Sequence, residues 1–457
     1  MTLRSAGRVH FIGIGGAGMS AIAKVLLEQG VSVSGSDLKR SRAATVLEAM
    51  GADVHVGHDA GLVVGADVIV MSSAIRDSNP ELAAARASGI TILSRGQALA
   101  SILEERRSIV VAGTHGKTTT TSMIVSVLRA AEIDATYLVG GGLNDSGTNA
   151  RSGESDLAVA ESDESDGSFL LLSAHVGVVT NVEEDHVDHW SSLQELRAAF
   201  DRFIGATDPD GAVVVPVSDE GLCAAARASG TTVVTFGAQG DVSASGVRAE
   251  GTETTFDLLH AGATVPIRLQ VPGAHNVANA LAAAAACIQV GVPLQHVAEG
   301  LARYSGVERR FHLRGKVGGV TIIDDYAHHP TEVRATLSAA KTGSWDRVVA
   351  VFQPHRYSRT AAFAAAFGRS FSDADRIVIT DVYGAGEEAV PGVSGKLIAD
   401  ELCSALPGRP VAYLPHRAEL VAYLEQTLRE GDALLTLGAG DVTSLADELL
   451  VRLEPAP

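Results

Sequence analysis

Aromatic residues make up only 4% of this 457-residue chain, with two tryptophans, and cysteine occurs three times. Cys223, Cys287 and Cys403 lie far apart and have no metal-ligand spacing, so neither a disulfide framework nor a zinc knuckle is available. They read as buried thiols in a reducing compartment. Basic charge is also scarce, with 36 Lys and Arg against 54 Asp and Glu and a formal charge of −18. Such a surface repels nucleic acid and anionic lipid, so any polyanion must enter a locally basic pocket. Long apolar runs are missing too. The most apolar helical stretch, residues 278–290, is alanine-rich and interrupted by Asn279 and Gln289. The first residues enter a strand without a signal-peptide pattern. Nucleic-acid binding and membrane insertion are not expected, and the expected location is the cytoplasm.

Aliphatic content is ample: hydrophobic residues are 46% of the chain, enough for two to four domain cores. Short β-branched runs alternate with helical stretches, which predicts parallel sheets with helical crossovers. In the first segment, residues 9–14, 31–35, 67–71 and 90–93 read as strands and 19–29 as a helix. A second segment opens with the strand at 108–112 and continues through strands at 156–160 and 176–180 and a helix at 193–204. Residues 231–270 then alternate in polarity between glycine turns, the mark of added antiparallel strands. A third segment carries strands at 320–323, 348–352, 377–380 and 434–437, each running directly into polar residues. Ligands sit beyond the carboxyl ends of strands in such sheets, so these four ends point to one site. The expected architecture is α/β in three domains: a Rossmann-like unit over 1–106, a P-loop unit with added antiparallel strands over 107–313, and a second Rossmann-like unit over 314–457. Polar hinges are expected near residues 104–107 and 312–315.

The sharpest chemical signal is Ala112-Gly113-Thr114-His115-Gly116-Lys117-Thr118-Thr119, between a strand and a helix. Glycines at a strand-to-helix turn let backbone N–H groups face phosphate, the lysine reaches the terminal phosphates, and the Thr118 hydroxyl suits Mg²⁺. The spacing is one step off the usual P-loop, with Val111 where glycine is standard. Gly13-Ile-Gly15-Gly16-Ala17-Gly18 follows the first strand, and Asp37 closes the next one, a dinucleotide-type fingerprint. By itself this turn fits NAD, another nucleotide diphosphate, or tight helix–strand packing. In Glu161-Ser-Asp163-Glu164-Ser-Asp166 the strand-tip Glu161 is the best placed metal ligand, and the rest reads as a solvated acidic turn. Asn181-Val-Glu-Glu-Asp185-His186-Val-Asp188-His189 offers a second hard-metal site, with His189 assigned to packing. Arg309, Arg310, Arg356 and Arg359 are the cations such an acidic chain reserves for anions.

Together these blocks resemble one family, the Mur ligases of peptidoglycan precursor synthesis. His10-Phe-Ile-Gly-Ile-Gly-Gly-Ala-Gly-Met-Ser20, Gly113-Thr-His-Gly-Lys-Thr118, Asp185-His186 and His275-Asn-x-x-Asn279 carry the likeness. So do Arg309-Arg-Phe311, Asp324-Asp-Tyr-Ala-His-His-Pro-Thr331, Phe352-Gln-Pro-His-Arg-Tyr357 and Gly438-Ala-Gly-Asp441. The likeness runs in order over nearly the whole chain. It implies an ATP-dependent ligation in which a sugar carboxylate becomes an acyl phosphate and is then attacked by an amine. The first block favours the member that adds L-alanine to UDP-N-acetylmuramate. A ligase that recycles a preformed peptide and an NAD-dependent oxidoreductase are the alternatives.

The resemblance implies that Gly15, Gly16, Ala17, Gly18, Asp37 and Ser72 hold the UDP-sugar and that residues 112–119 hold ATP. Asn276 and Asn279 would lie at adenine, Arg309 on phosphates and Asp325 at the ribose. Thr118 and Glu161 would ligate one Mg²⁺ and His186 a second. Lys117, His186, Tyr326, His328, Arg356 and Arg359 would form the catalytic set around the acyl phosphate and alanine. A monomer or homodimer is expected. Two departures are visible: Phe200 stands where sister ligases carry a carbamylated lysine, and Ser162 where alanine is more usual.

Overall fold

β-branched runs bounded by glycine turns fold as buried parallel strands because both faces are covered by helices. The computed structural model describes residues 3–187 and 189–454 and contains three sheets. The first has β1 (Arg8–Ile12), β2 (Ser32–Asp37), β3 (Asp53–Val56), β4 (Val68–Met71) and β5 (Thr91–Ser94) in the order 3-2-1-4-5, all parallel. Four of its strands are legible in the sequence. The half-buried β3 is not, since Asp-Val-His-Val lacks a β-rich run.

The second sheet comprises β6 (Arg107–Ala112), β7 (Thr136–Leu138), β8 (Ala150–Arg151), β9 (Leu157–Glu161), β10 (Val176–Val179), β11 (Ala212–Pro216), β12 (Thr232–Phe236), β13 (Val242–Glu250), β14 (Glu253–His260) and β15 (Ala263–Leu269). Their order is 15-14-13-12-11-10-6-9-7-8. The antiparallel extension is β13–β15; β12, expected to be part of it, pairs parallel with β11 because helix Glu220–Ala228 supplies a crossover. The alanine-rich stretch forms helix Ala274–Gln289, whose small side chains pack it against the sheet in the central core.

The third sheet orders β16 (His312–Val317), β17 (Val320–Asp325), β18 (Arg347–Phe352), β19 (Arg376–Ile379), β20 (Val411–Tyr413) and β21 (Asp432–Leu437) as 16-17-21-18-19-20. β16 is antiparallel to β17, so residues 312–315 are strand rather than hinge, and the 313/314 division runs through it. Among the cysteines, Cys223 and Cys287 are buried, but Cys403 is exposed on the outer face of helix Gly395–Ala405. No helix among the described residues is long and apolar enough to cross a membrane.

Candidate functional site

The carboxyl ends of all three sheets converge on one cavity of about 1070 Å³. The central sheet contributes the turn from β6 into helix Lys117–Ala130. Gly116 is the N-cap at φ 81°, and a Cβ there would lie 2.3 Å from the Asn279 side-chain Oδ1. Gly113, at φ 133°, has no room either, with Thr180 Oγ1 2.0 Å from a Cβ. Glycine is therefore required twice. No side chain caps the helix, which leaves its first amides open to an anion. Asn181 braces the turn by exchanging hydrogen bonds with the His115 N–H (2.9 Å) and carbonyl (3.0 Å).

Lys117 Nζ donates to the carbonyls of Gly113 (2.6 Å) and Thr114 (3.2 Å) and to Glu164 Oε2 (2.6 Å). Thr118 Oγ1 donates to Glu161 Oε1 at 2.9 Å, while Glu161 Oε2 accepts the Gly140 amide. Burial raises the Glu161 carboxyl above its usual range. His186 sits at φ 50°, an uncommon strained conformation, with Nε2 3.2 Å from Glu164 Oε1. Burial opposes its charge, but Glu164 and Asp185 outweigh burial and push its pKa up. The ligand atoms of Asp163, Glu164 and His186 lie within 4.8 Å of one another, and buried Glu164 Oε1 has no hydrogen-bond partner among the described residues. Hard oxygens plus one imidazole, with an unsatisfied buried oxygen, fit Mg²⁺ beside phosphate. Within the acidic run Asp163 and Asp166 stay partly exposed, but Glu164 is fully buried and its backbone carbonyl accepts the Trp190 indole N–H, so at that residue the run is no solvated turn. Of the neighbouring residues, Asp188 lies outside the described residues, and His189 packs edge-on against Trp190.

Phe200 does not face this cluster. Its ring is fully buried 5.0 Å from the Phe169 ring, so it fills core rather than a ligand position. Activity is therefore expected to be independent of bicarbonate, measured by comparing CO₂-depleted enzyme with and without added bicarbonate. Restoration by bicarbonate would contradict this.

The first sheet contributes the turn after β1. Gly15 N–H donates to Asp37 Oδ2 at 2.9 Å, so Asp37 fastens the turn itself. Gly16 caps helix Ala17–Glu28 without a side-chain acceptor, and Gly15, Ala17 and Gly18 line the cavity. Ser72 lies beyond β4 against Gly13. Arg95, missed in the sequence, reaches from beside Gly18 to Asp166 Oδ2 (3.3 Å) and Asp163 Oδ2 (3.6 Å), joining the first turn to the acidic loop.

The third sheet closes the cavity. Arg309 Nη2 donates to the carbonyls of Gly438 (2.6 Å) and Gly440 (3.1 Å) and stacks on Tyr326. Arg310 also lies against that ring, 3.6 Å from Glu332, where the main cavity meets an annex of about 210 Å³. Asn276, Asn279 and Asp325 line the annex; burial raises the Asp325 carboxyl to about 6, although it accepts the Phe311 and Ala327 amides. His328 Nδ1 donates to the Tyr326 carbonyl at 3.0 Å, and burial lowers its pKa to about 3, leaving a neutral ring with Nε2 as acceptor. Arg356, at φ 68° before helix Tyr357–Gly368, lines the cavity near Glu387. Arg359 Nε and Nη2 both donate to Asp185 Oδ1, at 3.0 and 2.8 Å, in a buried pair across two domains.

A second interdomain contact centres on His115, between Glu183 (3.4 Å) and Glu332 (3.3 Å). Burial works against its charge, yet the two carboxylates overcome it and raise the pKa to about 9. A raised histidine stabilises contact fully below its free value near 6.5 and loses that contribution as pH rises through about 9. Docking of the central and third domains is expected to weaken between pH 7 and 10, read as interdomain fluorescence transfer. His115→Gln should flatten that dependence; an unchanged profile would exclude the latch.

A P-loop opening onto a dinucleotide-type turn and a cluster of cavity-lining arginines defines a phosphoryl-transfer enzyme with a second anion site. Family models match in sequence: "Mur ligase family, catalytic domain" at residues 8–107, "Mur ligase middle domain" at 111–287 and "Mur ligase, glutamate ligase domain" at 309–440. The chain belongs to the Mur ligase family. A UDP-N-acetylmuramate–L-alanine ligase of Mycolicibacterium smegmatis is 46% identical over 98% of this chain and 95% of its own. One from Geobacter sp. (strain M21) is 44% identical over 98% of both. The crystal structure of UDP-N-acetylmuramate–alanine ligase from Thermotoga maritima superposes with a TM-score of 0.82 at 31% identity, covering 97% of this chain and 98% of that one.

Proposed function

We propose that this chain joins L-alanine to the lactyl carboxylate of UDP-N-acetylmuramate, converting ATP to ADP and phosphate. The observation that carries the reading is the single cavity shared by the P-loop, the Gly15–Gly18 turn and the arginines at positions 309, 310, 356 and 359. Adenine and ribose enter the annex at Asn276, Asn279 and Asp325, which places the phosphates over residues 113–119. The UDP diphosphate takes the open amides of helix Ala17–Glu28. A lactyl carboxylate oxygen attacks the γ-phosphorus, the β–γ bridging P–O bond breaks, and ADP departs. Lys117 and Arg310 balance the charge spreading over the phosphoryl oxygens. Two Mg²⁺ would add charge neutralisation, one held by Thr118 and Glu161 and one by His186.

The alanine nitrogen then attacks the acyl carbon, and the C–O bond to phosphate breaks. Tyr326, His328 and Arg356 line this end, where Arg356 receives the alanine carboxylate and neutral His328 accepts a hydrogen bond from the amine. Arg359 acts through Asp185 in holding the two domains together. The reaction is assigned to the cytoplasm, with the chain a monomer or homodimer. The test is phosphate release with UDP-N-acetylmuramate, ATP and Mg²⁺, with and without L-alanine. Alanine-dependent release is expected; release driven only by a preformed tripeptide would overturn the assignment.

A further inference from the structure

Three acceptors surround the Lys117 ammonium: two P-loop carbonyls and Glu164 Oε2. An ammonium has three protons, so Lys117 reaches a phosphate only by giving up one of these partners. Glu164 is the partner that matters. It is fully buried, and among the described residues its second oxygen has no hydrogen bond, with His186 Nε2 3.2 Å away. Once Lys117 turns to phosphate, a buried carboxylate keeps only His186 as a cationic neighbour, and that state is costly unless a further cation arrives. The donors gathered around the free oxygen, from Asp163 and His186, form a group compact enough for a divalent ion.

We propose that Glu164 has two alternating partners: Lys117 in the ligand-free protein and, with nucleotide bound, the second divalent cation beside His186. This rests on the reading of the cavity as an ATP site and adds to it a carboxylate ligand and a charge exchange. The loop is built for this. Trp190 holds the Glu164 backbone carbonyl at 3.0 Å, and Arg95 holds Asp163 and Asp166 from the first domain, so the side chain alone needs to turn. The Arg95 contact also ties the position of this carboxylate to the turn that receives the UDP diphosphate.

The experiment compares the full-length protein with Glu164→Gln and Glu164→Asp, using Mn²⁺ and a non-hydrolysable ATP analogue with a methylene β–γ bridge. Manganese stoichiometry and affinity are read by electron paramagnetic resonance, and analogue affinity in EDTA by calorimetry. The wild type is expected to bind two Mn²⁺ per chain with analogue present. Glu164→Gln is expected to weaken one of them tenfold or more, while binding the metal-free analogue as tightly as wild type or several-fold tighter, because Lys117 is released. Glu164→Asp keeps the charge of the buried site, serves if the glutamine variant does not fold, and should weaken the same manganese. Two undiminished manganese sites, or a fall in metal-free analogue affinity in both variants, would overturn the proposal; the latter is what a merely structural carboxylate gives. A wild type that binds no analogue overturns the ATP-site reading itself, and this proposal with it.

Discussion

Lys117→Ala is expected to lower ligation at least about 10³-fold while leaving UDP-sugar affinity within a few-fold of wild type. The lysine is a cation already inside the P-loop, held by Gly113, Thr114 and Glu164. Removing a fixed charge aimed at a transferring phosphoryl group typically costs several kcal/mol of transition-state stabilisation, hence a loss on the order of 10³ or more. The sugar nucleotide is read by a different sheet, through the turn fastened by Gly15 and Asp37, so its binding should be spared. The variant also leaves Glu164 with His186 as its nearest cation, which makes a melting curve a necessary companion measurement. A folded variant with a tenth of wild-type turnover would sink the P-loop assignment. Equal loss of sugar-nucleotide binding would sink the separation of the two anion sites.

Asp185→Ala is expected to open the molecule. Asp185 and Arg359 form a buried pair between the central and third domains. Taking one partner from a buried pair costs about 3–5 kcal/mol, because the other charge remains uncompensated. A single domain must absorb that penalty, whereas two lobes can escape it by separating and hydrating the arginine. The closed population should then fall by about 10²-fold or more. Small-angle scattering should show a larger radius of gyration than wild type, and saturating ATP and UDP-sugar should only partly reverse it. Adding Arg359→Ala should restore compaction toward wild type, since both charges are then gone; activity need not follow, as the cavity loses a cation. Scattering curves that coincide for wild type and Asp185→Ala would show that the pair does not hold the domains.

Features whose parts are neighbours in the chain are legible in the sequence. The P-loop is a strand, two glycines and a lysine inside one short stretch, and φ values of 133° and 81° at Gly113 and Gly116 are what those glycines permit. The first turn is equally local, and so is the run of each apolar strand of the third sheet into polar residues. Parallel α/β architecture followed from the alternation of β-branched and helical stretches, a property of the backbone period.

Only the tertiary structure decided which side chains meet. Asp185 and Arg359 are 174 residues apart, and His115 and Glu332 are 217 apart. Nothing in either local pattern specifies those partners. Arg309 and Arg310 are adjacent and chemically identical, yet one fastens the Gly438–Gly440 loop and the other lies between the main cavity and the annex. Phe200 sits at helical spacing that serves either core or cleft, and packing against Phe169 settles it as core. Glu164 marks the limit most clearly. Acidic runs are ordinarily solvated, and Glu164 within this one is buried because two other stretches of chain, one carrying Lys117 and one carrying His186 and Trp190, satisfy it. Local sequence sets backbone periodicity and turn geometry; the burial of a charge depends on the cations and donors that distant segments deliver around it.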